Sequence, residues 1–150
     1  MKSDRYIAIF APGFEAAMES LLPECLPGAG AVRVFPGMVR FAYAGPPADV
    51  AAVPFFNNAF FVFRDWETSS IPFPSLVKKT MGNDSFPESW NRVQSRSVRT
   101  FRVRFSASNK FCSVDRPVMD AAERLVSSAT GLSPDRLNPD AEFWYLTRSE

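Results

Sequence analysis

Thirteen prolines run through this 150-residue chain, from Pro12 to Pro139, and they limit what it can fold into more than any other feature. Proline fixes its own φ and donates no backbone hydrogen bond, so it favours the ends of helices and strands and is costly inside them. The breaks therefore ask for short elements joined by tight connections. Pro12 and Pro54, with Asn57 and Asn58, also interrupt the apolar stretches, so none is long enough to span a bilayer. The opening MKSDRYIAIFAPG holds no apolar core of signal-peptide length before its proline. The protein is expected to be soluble and cytoplasmic.

YIAIF (6–10) is a short β-rich run closed by the Ala11-Pro12-Gly13 turn. Phe14, Ala17, Met18, Leu21 and Leu22 then recur at i, i+3, i+4, i+7 and i+8, the apolar stripe of a helix that Pro23 ends or nearly ends. AVRVF and MVRFAY alternate as two strands around the compact connection Pro36-Gly37. PPADVAAV reads as a short helix with Pro47 near its start, and AFFVFRDW (59–66) as a strand by its aromatic and β-branched content. The order is β-α-β-β-α-β, the split-βαβ pattern of a ferredoxin-like unit. A right-handed crossover would lay both helices on one face of an antiparallel sheet.

Beyond Ile71 the character changes. SIPFPS is a proline-bounded connector that puts a boundary near Ser69 to Pro72, dividing the chain into 1–69 and 70–150. LVKKTMG has the length of one or two helical turns, and the polar, poorly periodic NDSFPESWNRVQSRS reads as loop or short helix. VRTFRVRF alternates cleanly, with Phe101, Val103 and Phe105 on one side and Thr100, Arg102 and Arg104 on the other. Asp115 is placed to cap a helix whose first turn holds Pro117. Val118, Ala122, Leu125 and Ala129 form its buried stripe, Asp120 and Arg124 pair on its wet face, and Gly131 ends it. EFWYLT is a closing strand, and the fold class is α+β. A chain that stops at TRSE directly after an apolar strand reads as cut from something longer.

Few chemistries remain open. With no histidine, the commonest general base and the commonest zinc ligand are both missing. Cys25 and Cys112 stand alone in separate regions, as small buried hydrophobes in a reducing compartment would. The Gly-x-Gly of PGAGAV (27–32) follows a helix and precedes a strand, whereas a nucleotide or S-adenosylmethionine loop needs strand, glycines, then helix. NPDAEF (138–143) has a passing likeness to the Asn-Pro-Pro-aromatic loop of amino-methyltransferases, but it lacks the second proline and leads into a strand, so a turn is the plain reading. The acidic residues form no recognisable catalytic pair. No catalytic or metal site is legible.

The charge is uneven. Residues 1–75 carry five basic and seven acidic side chains, while 76–150 carry twelve and nine, so a net of −2 is followed by +3. Within 78–116 the balance is nine basic to three acidic. Lys78 and Lys79 form one cluster, Arg92, Arg96 and Arg99 another, and Arg102 and Arg104 line a strand face. Such charges can simply protect a solvated strand edge. They can equally hold phosphates, because arginine offers paired donors to phosphate oxygens and several together release counterions.

IFAPGFEAAMESLL, GMVRFAY and the later FRVRFS…AERLVSSATGL…NPDAEFWYLTRSE, taken in order, resemble the N-terminal part of the THUMP-domain RNA methyltransferases. The likeness spans nearly the whole chain, is weakest over 71–98, and includes no catalytic signature. It implies a ferredoxin-like unit followed by a THUMP-like α/β unit, which together hold structured RNA, tRNA or rRNA. It also implies a C-terminal methyltransferase domain in cis, absent from these residues, that methylates a base with S-adenosylmethionine. Lys78, Lys79, Arg96, Arg99, Arg102 and Arg104 are the RNA contacts this reading expects, with no cofactor bound by the present residues. Two other readings stay open: a stand-alone RNA-binding adaptor, and a ferredoxin-like module for small molecules.

Overall fold

The computed structural model describes residues 3–66, 71–81 and 85–148. By its contacts the chain divides into two compact units, Met1–Phe63 and Arg64–Glu150, each with its own sheet in a mixed α+β fold. The boundary expected near Ser69 to Pro72 falls in part on 67–70, outside the described residues.

The first unit runs β1 (Asp4–Ile9), α1 (Glu15–Cys25), β2 (Gly30–Phe35), β3 (Met38–Tyr43), α2 (Pro47–Ala51) and β4 (Asn58–Phe61). Its sheet has the order β2-β3-β1-β4, antiparallel throughout. Tyr6 lies in register with Phe41 on one side and Phe61 on the other, and its ring sits 5.6 and 5.5 Å from theirs. Met18 and Leu22 from α1, Leu26 just after it and Val50 from α2 join these rings in the core. Helix α1 ends at Cys25, two residues beyond Pro23, as the proline's position leads one to expect. Only the last turn lies beyond the proline, so the lost hydrogen bond is tolerated there. Strand β4 stops at Phe61, short of the expected Trp66; its ladder with β1 covers Tyr6–Ile9, and the Val62 N–H makes one further bond to the Arg5 carbonyl.

The second unit contains α3 (Phe73–Thr80), α4 (Ser85–Val93), β5 (Thr100–Ala107), β6 (Lys110–Phe111), α5 (Arg116–Thr130), β7 (Ser133–Pro134) and β8 (Ala141–Thr147). Strand β5 is the centre of the sheet. Phe101 is opposite both Pro134 and Ala141, and Ser106 opposite both Phe111 and Leu146, so β6 and β7 flank β5 on one side and β8 on the other. β5 and β8 are parallel, with α5 as their crossover. The core is largely aromatic: Phe143 meets Phe86, Trp90 and Phe101, while Phe105 stacks on Tyr145 and meets Phe73.

Helix α4 forms where periodicity looked poor, because Phe86 and Trp90, four apart, are the two residues it buries. In α5 the buried residues are Ala122 and Val126, so the stripe is rotated from the expected Val118-Ala122-Leu125-Ala129 line. Asp115 precedes the helix but makes no side-chain cap; its carbonyl oxygen takes the N–H groups of Val118 and Met119 instead. Gly131 ends the helix in the left-handed conformation, φ 74°, and donates its N–H to the Ser127 carbonyl. Asp120 pairs with Arg116 and Arg136 rather than with Arg124, because Arg136 reaches back from the loop after β7.

Candidate nucleic-acid interface

Strand alternation sorts β5. Phe101, Val103 and Phe105 are 0, 4 and 2% exposed, which fixes the strand in the core and sends Arg102 and Arg104 to the opposite face. Parallel register places Glu142 beside Arg102 and Trp144 beside Arg104. The Glu142 carboxylate takes a different oxygen to each arginine, at 3.2 Å from Arg102 Nη2 and 3.1 Å from Arg104 Nε. Arg102 also donates from Nη1 to the Arg136 carbonyl at 3.2 Å, and Arg136 is itself held by the Glu123 carboxylate. One carboxylate thus orders two guanidinium groups and leaves a positive surplus.

Phe111 completes this outer face. Ser108 and Asn109 both have positive φ, 47° and 65°, the signature of a two-residue hairpin turn, and β6 follows directly. The turn delivers Phe111 across from Ser106, with its ring 4.5 Å from Arg104 Cζ and 5.1 Å from the ring of Trp144. Phe111 stays 61% exposed, and Lys110 beside it is exposed as well.

The remaining expected contacts sit elsewhere. Arg96 and Arg99 are exposed in the connection that leads from α4 into β5. There Asp140 accepts the backbone N–H groups of Arg99 and Thr100 at 2.9 and 3.1 Å, and Thr100 Oγ1 accepts the Asp140 N–H. Those bonds, Arg99 first, hold the Asp140 carboxyl below the usual carboxylate range. Asp135 similarly takes the N–H groups of Leu137 and Asn138. The residues around NPDAEF are therefore committed to a structural turn. Lys78 and Lys79 are exposed in the last turn of α3, which packs on the other side of the sheet through Phe73 against Phe105 and Thr80 against Tyr145. From Arg99 to the level of Phe105 the strand climbs about 20 Å. The structure thus brings Arg102 and Arg104 together, keeps Arg99 at the strand entrance, and separates Lys78 and Lys79 from all of them.

Glu142, Trp144 and Phe111 were not singled out in the sequence. The alternation of Glu142, Trp144 and Leu146 against Phe143 and Tyr145 was a usable signal. The facing of Phe111 was not, because β6 is only two residues long.

Two further features belong to the first unit. The Glu15 carboxylate accepts N–H groups from Gly13 and Gly37, tying the turn before α1 to the turn between β2 and β3. Phe10, Phe14, Met18, Leu21 and Phe55 line an open apolar hollow of about 220 Å³. Gly28 follows the end of α1 and Gly30 opens β2, so the order is helix, glycines, strand, the reverse of the loop that S-adenosylmethionine needs. Among the described residues no three His, Cys, Asp or Glu side chains converge as metal ligands would, and no helix is long and apolar enough to cross a membrane.

No protein-family model matches the chain, and no curated protein matches it in sequence. Solved structures do match. TrmN from Thermus thermophilus aligns over 97% of this chain and 42% of its own, with a TM-score of 0.64 and 18% identity. A 4-thiouridine synthetase in complex with RNA and ATP aligns over 97% of this chain and 38% of its own, at 0.60 and 16%. SMU.472, a protein assigned as a methyltransferase and complexed with SAH, aligns over 99% and 39%, at 0.57 and 15%. The chain spans about two fifths of the length of these structures and shares its fold with that portion of them.

Proposed function

We propose that this chain is the RNA-binding region of an S-adenosylmethionine-dependent RNA base methyltransferase, acting on tRNA or rRNA. The first unit is read as ferredoxin-like, on its β-α-β-β-α-β order and its β2-β3-β1-β4 antiparallel sheet. The second is read as THUMP-like. A methyltransferase domain in cis would bring the cofactor and the chemistry, and this region would position structured RNA for it. The fold likeness to a synthetase seen with RNA, and to SMU.472 seen with SAH, supports this reading.

The observation that carries it is the outer face of β5. Two arginines stand on a strand whose alternate residues are buried, with a single carboxylate between them. Preordered guanidinium groups suit phosphate oxygens, and little side-chain freedom remains to be lost on binding. Arg96 and Arg99 extend this surface toward the strand entrance. Lys78 and Lys79 meet a separate stretch of the same RNA.

Filter binding of a structured RNA at several salt concentrations tests the reading. With about four phosphate contacts, log affinity should fall against log salt with a slope of roughly −3, using the single-strand coefficient. Arg102→Ala with Arg104→Ala should weaken binding across RNA sequences and flatten the slope, because phosphate contacts carry little base information. Equal affinities and slopes for both proteins would return the face to a solvated surface.

A further inference from the structure

Phe14 is an odd residue for its position. It stands immediately before α1, at the helix N-cap, where serine, threonine, aspartate or asparagine would satisfy a free backbone N–H. Its side chain makes no cap, and the ring is 58% exposed. The ring instead walls the hollow of about 220 Å³ whose floor is the buried Phe10 and Met18, with Leu21 and Phe55 as further walls. Phe14, Ala17 and Leu21 recur at i, i+3 and i+7, one stripe roughly 10 Å long on α1 and its cap. Ala17 is the small residue in the middle, and it keeps the stripe low there. Apolar residues exposed singly need no partner, but Phe14 and Leu21 share one concave site.

The charge of the first unit is divided between its layers. Helices α1 and α2 carry Glu15, Glu19, Glu24 and Asp49 and no lysine or arginine. Arg5, Arg33 and Arg40 all stand on strands. Glu24 follows Leu21 by three residues and Ala17 by seven, so it continues the apolar stripe. Acidic charge beside the hollow repels a phosphate backbone, so this side does not suit RNA.

We infer that the hollow on α1 is a docking site for a basic amphipathic helix of a partner protein. One large apolar side chain of that helix fills the space between Phe14, Leu21 and Phe55. Lysines or arginines beside it face Glu24, in the field of the other helix carboxylates. A stripe of two turns is what a second helix packs its own ridge against. This role goes beyond RNA binding and does not depend on it, since phosphate contacts would need the opposite charge.

The test uses the full chain and three synthetic peptides of about 18 residues, long enough to form helices. One carries leucines at i, i+3, i+4 and i+7 with lysines and alanines elsewhere. The second replaces each lysine by glutamate, and the third scrambles the first so that the stripe is lost. Isothermal titration should show binding of the lysine peptide alone, weakening as salt rises. Phe14→Ser should reduce it about tenfold or more, the loss of an aromatic anchor at an interface. Serine is a good cap, so this variant should melt no lower than wild type, which separates lost docking from lost folding. Glu24→Lys should also weaken the lysine peptide without lowering the melting temperature, because a cation suits a helix C-terminus. Both variants should bind an RNA stem as wild type does. Binding of no peptide, equal binding of the lysine and scrambled peptides, or full binding by Phe14→Ser would overturn the inference. A wild-type dimer that Phe14→Ser turns into a monomer in sedimentation would overturn it in favour of a second copy. Loss of RNA-stem affinity in Phe14→Ser would overturn it in favour of RNA.

Discussion

Glu15 and Gly37 are 22 residues apart in sequence and joined in the structure, the glycine N–H donating to the carboxylate at 3.1 Å. The same carboxylate takes the Gly13 N–H at 3.0 Å, so one charge secures two turns at one end of the first sheet. Hydrogen bonds from its own backbone N–H, then Gly13, then Gly37, hold the Glu15 carboxyl below its ordinary pKa.

That direction fixes a pH dependence. A carboxyl whose folded pKa is depressed contributes stability that is present above the unfolded value of about 4.3 and is lost as pH falls through the folded one. Glu15→Gln should lower the melting temperature by a few degrees at neutral pH, with the difference from wild type shrinking in acid. Thermal unfolding from pH 7 to pH 2 measures this. A constant difference across that range would separate the charge from the effect.

Gly45 leaves room for Tyr43. A Cβ at position 45 would lie 2.4 Å from the Tyr43 ring, which is buried and whose hydroxyl donates to Asp49 at 2.8 Å. Gly45→Ala should destabilise the protein by roughly 1–3 kcal/mol through overpacking. In a Tyr43→Ala background the same change should cost far less, since the two positions share one contact. Chemical denaturation of the four proteins checks it, and additive costs would mean the ring is not the obstacle.

Glu142 competes with any anion for Arg102 and Arg104. Glu142→Gln should raise RNA affinity about two- to fivefold, the scale of a partly exposed ion pair. Freeing one more cation should steepen the salt slope by roughly 0.7. Filter binding beside the arginine variants gives both quantities. Weaker binding by Glu142→Gln would mean that the carboxylate organises the arginines more than it blocks them.

Asp140 pins the start of β5 through the N–H groups of Arg99 and Thr100. Asp140→Ala should speed amide exchange at those two residues and leave Val103 and Phe105 protected, because the strand centre is held by β8. Residue-resolved hydrogen exchange reads it directly. Uniform loss of protection along β5 would show that the turn supports the whole strand.

What could be read from the sequence follows from how far apart the partners are. The alternation of β5 needs no partner to be recognised, because Phe101, Val103 and Phe105 repeat at a period that only a strand satisfies. Helix α4 was obscured because Pro87 and several polar residues surround its two buried rings. The pairing of Glu142 with Arg102 was illegible for a different reason. It depends on the register of two parallel strands, which no local pattern specifies. Phe111 owes its place to a turn built by Ser108 and Asn109, residues that adopt positive φ without a glycine to announce it.

The parallel pairing of β5 with β8 also sets an order of assembly. In the first unit β2 and β3 meet across a two-residue turn, so a nucleus can form as soon as both have been made. In the second, Arg102 waits for Glu142, forty positions later, and α5 must fold between them. The first unit has a still more distant pairing, Tyr6 with Phe61, but all of its strands are made before β5 begins. Until synthesis passes Thr147, Phe101 and Phe105 lack the strand that covers their flank, and Phe143 and Tyr145 have not joined the core. The nascent second unit is therefore the segment a chaperone would meet, while the first can already be folded.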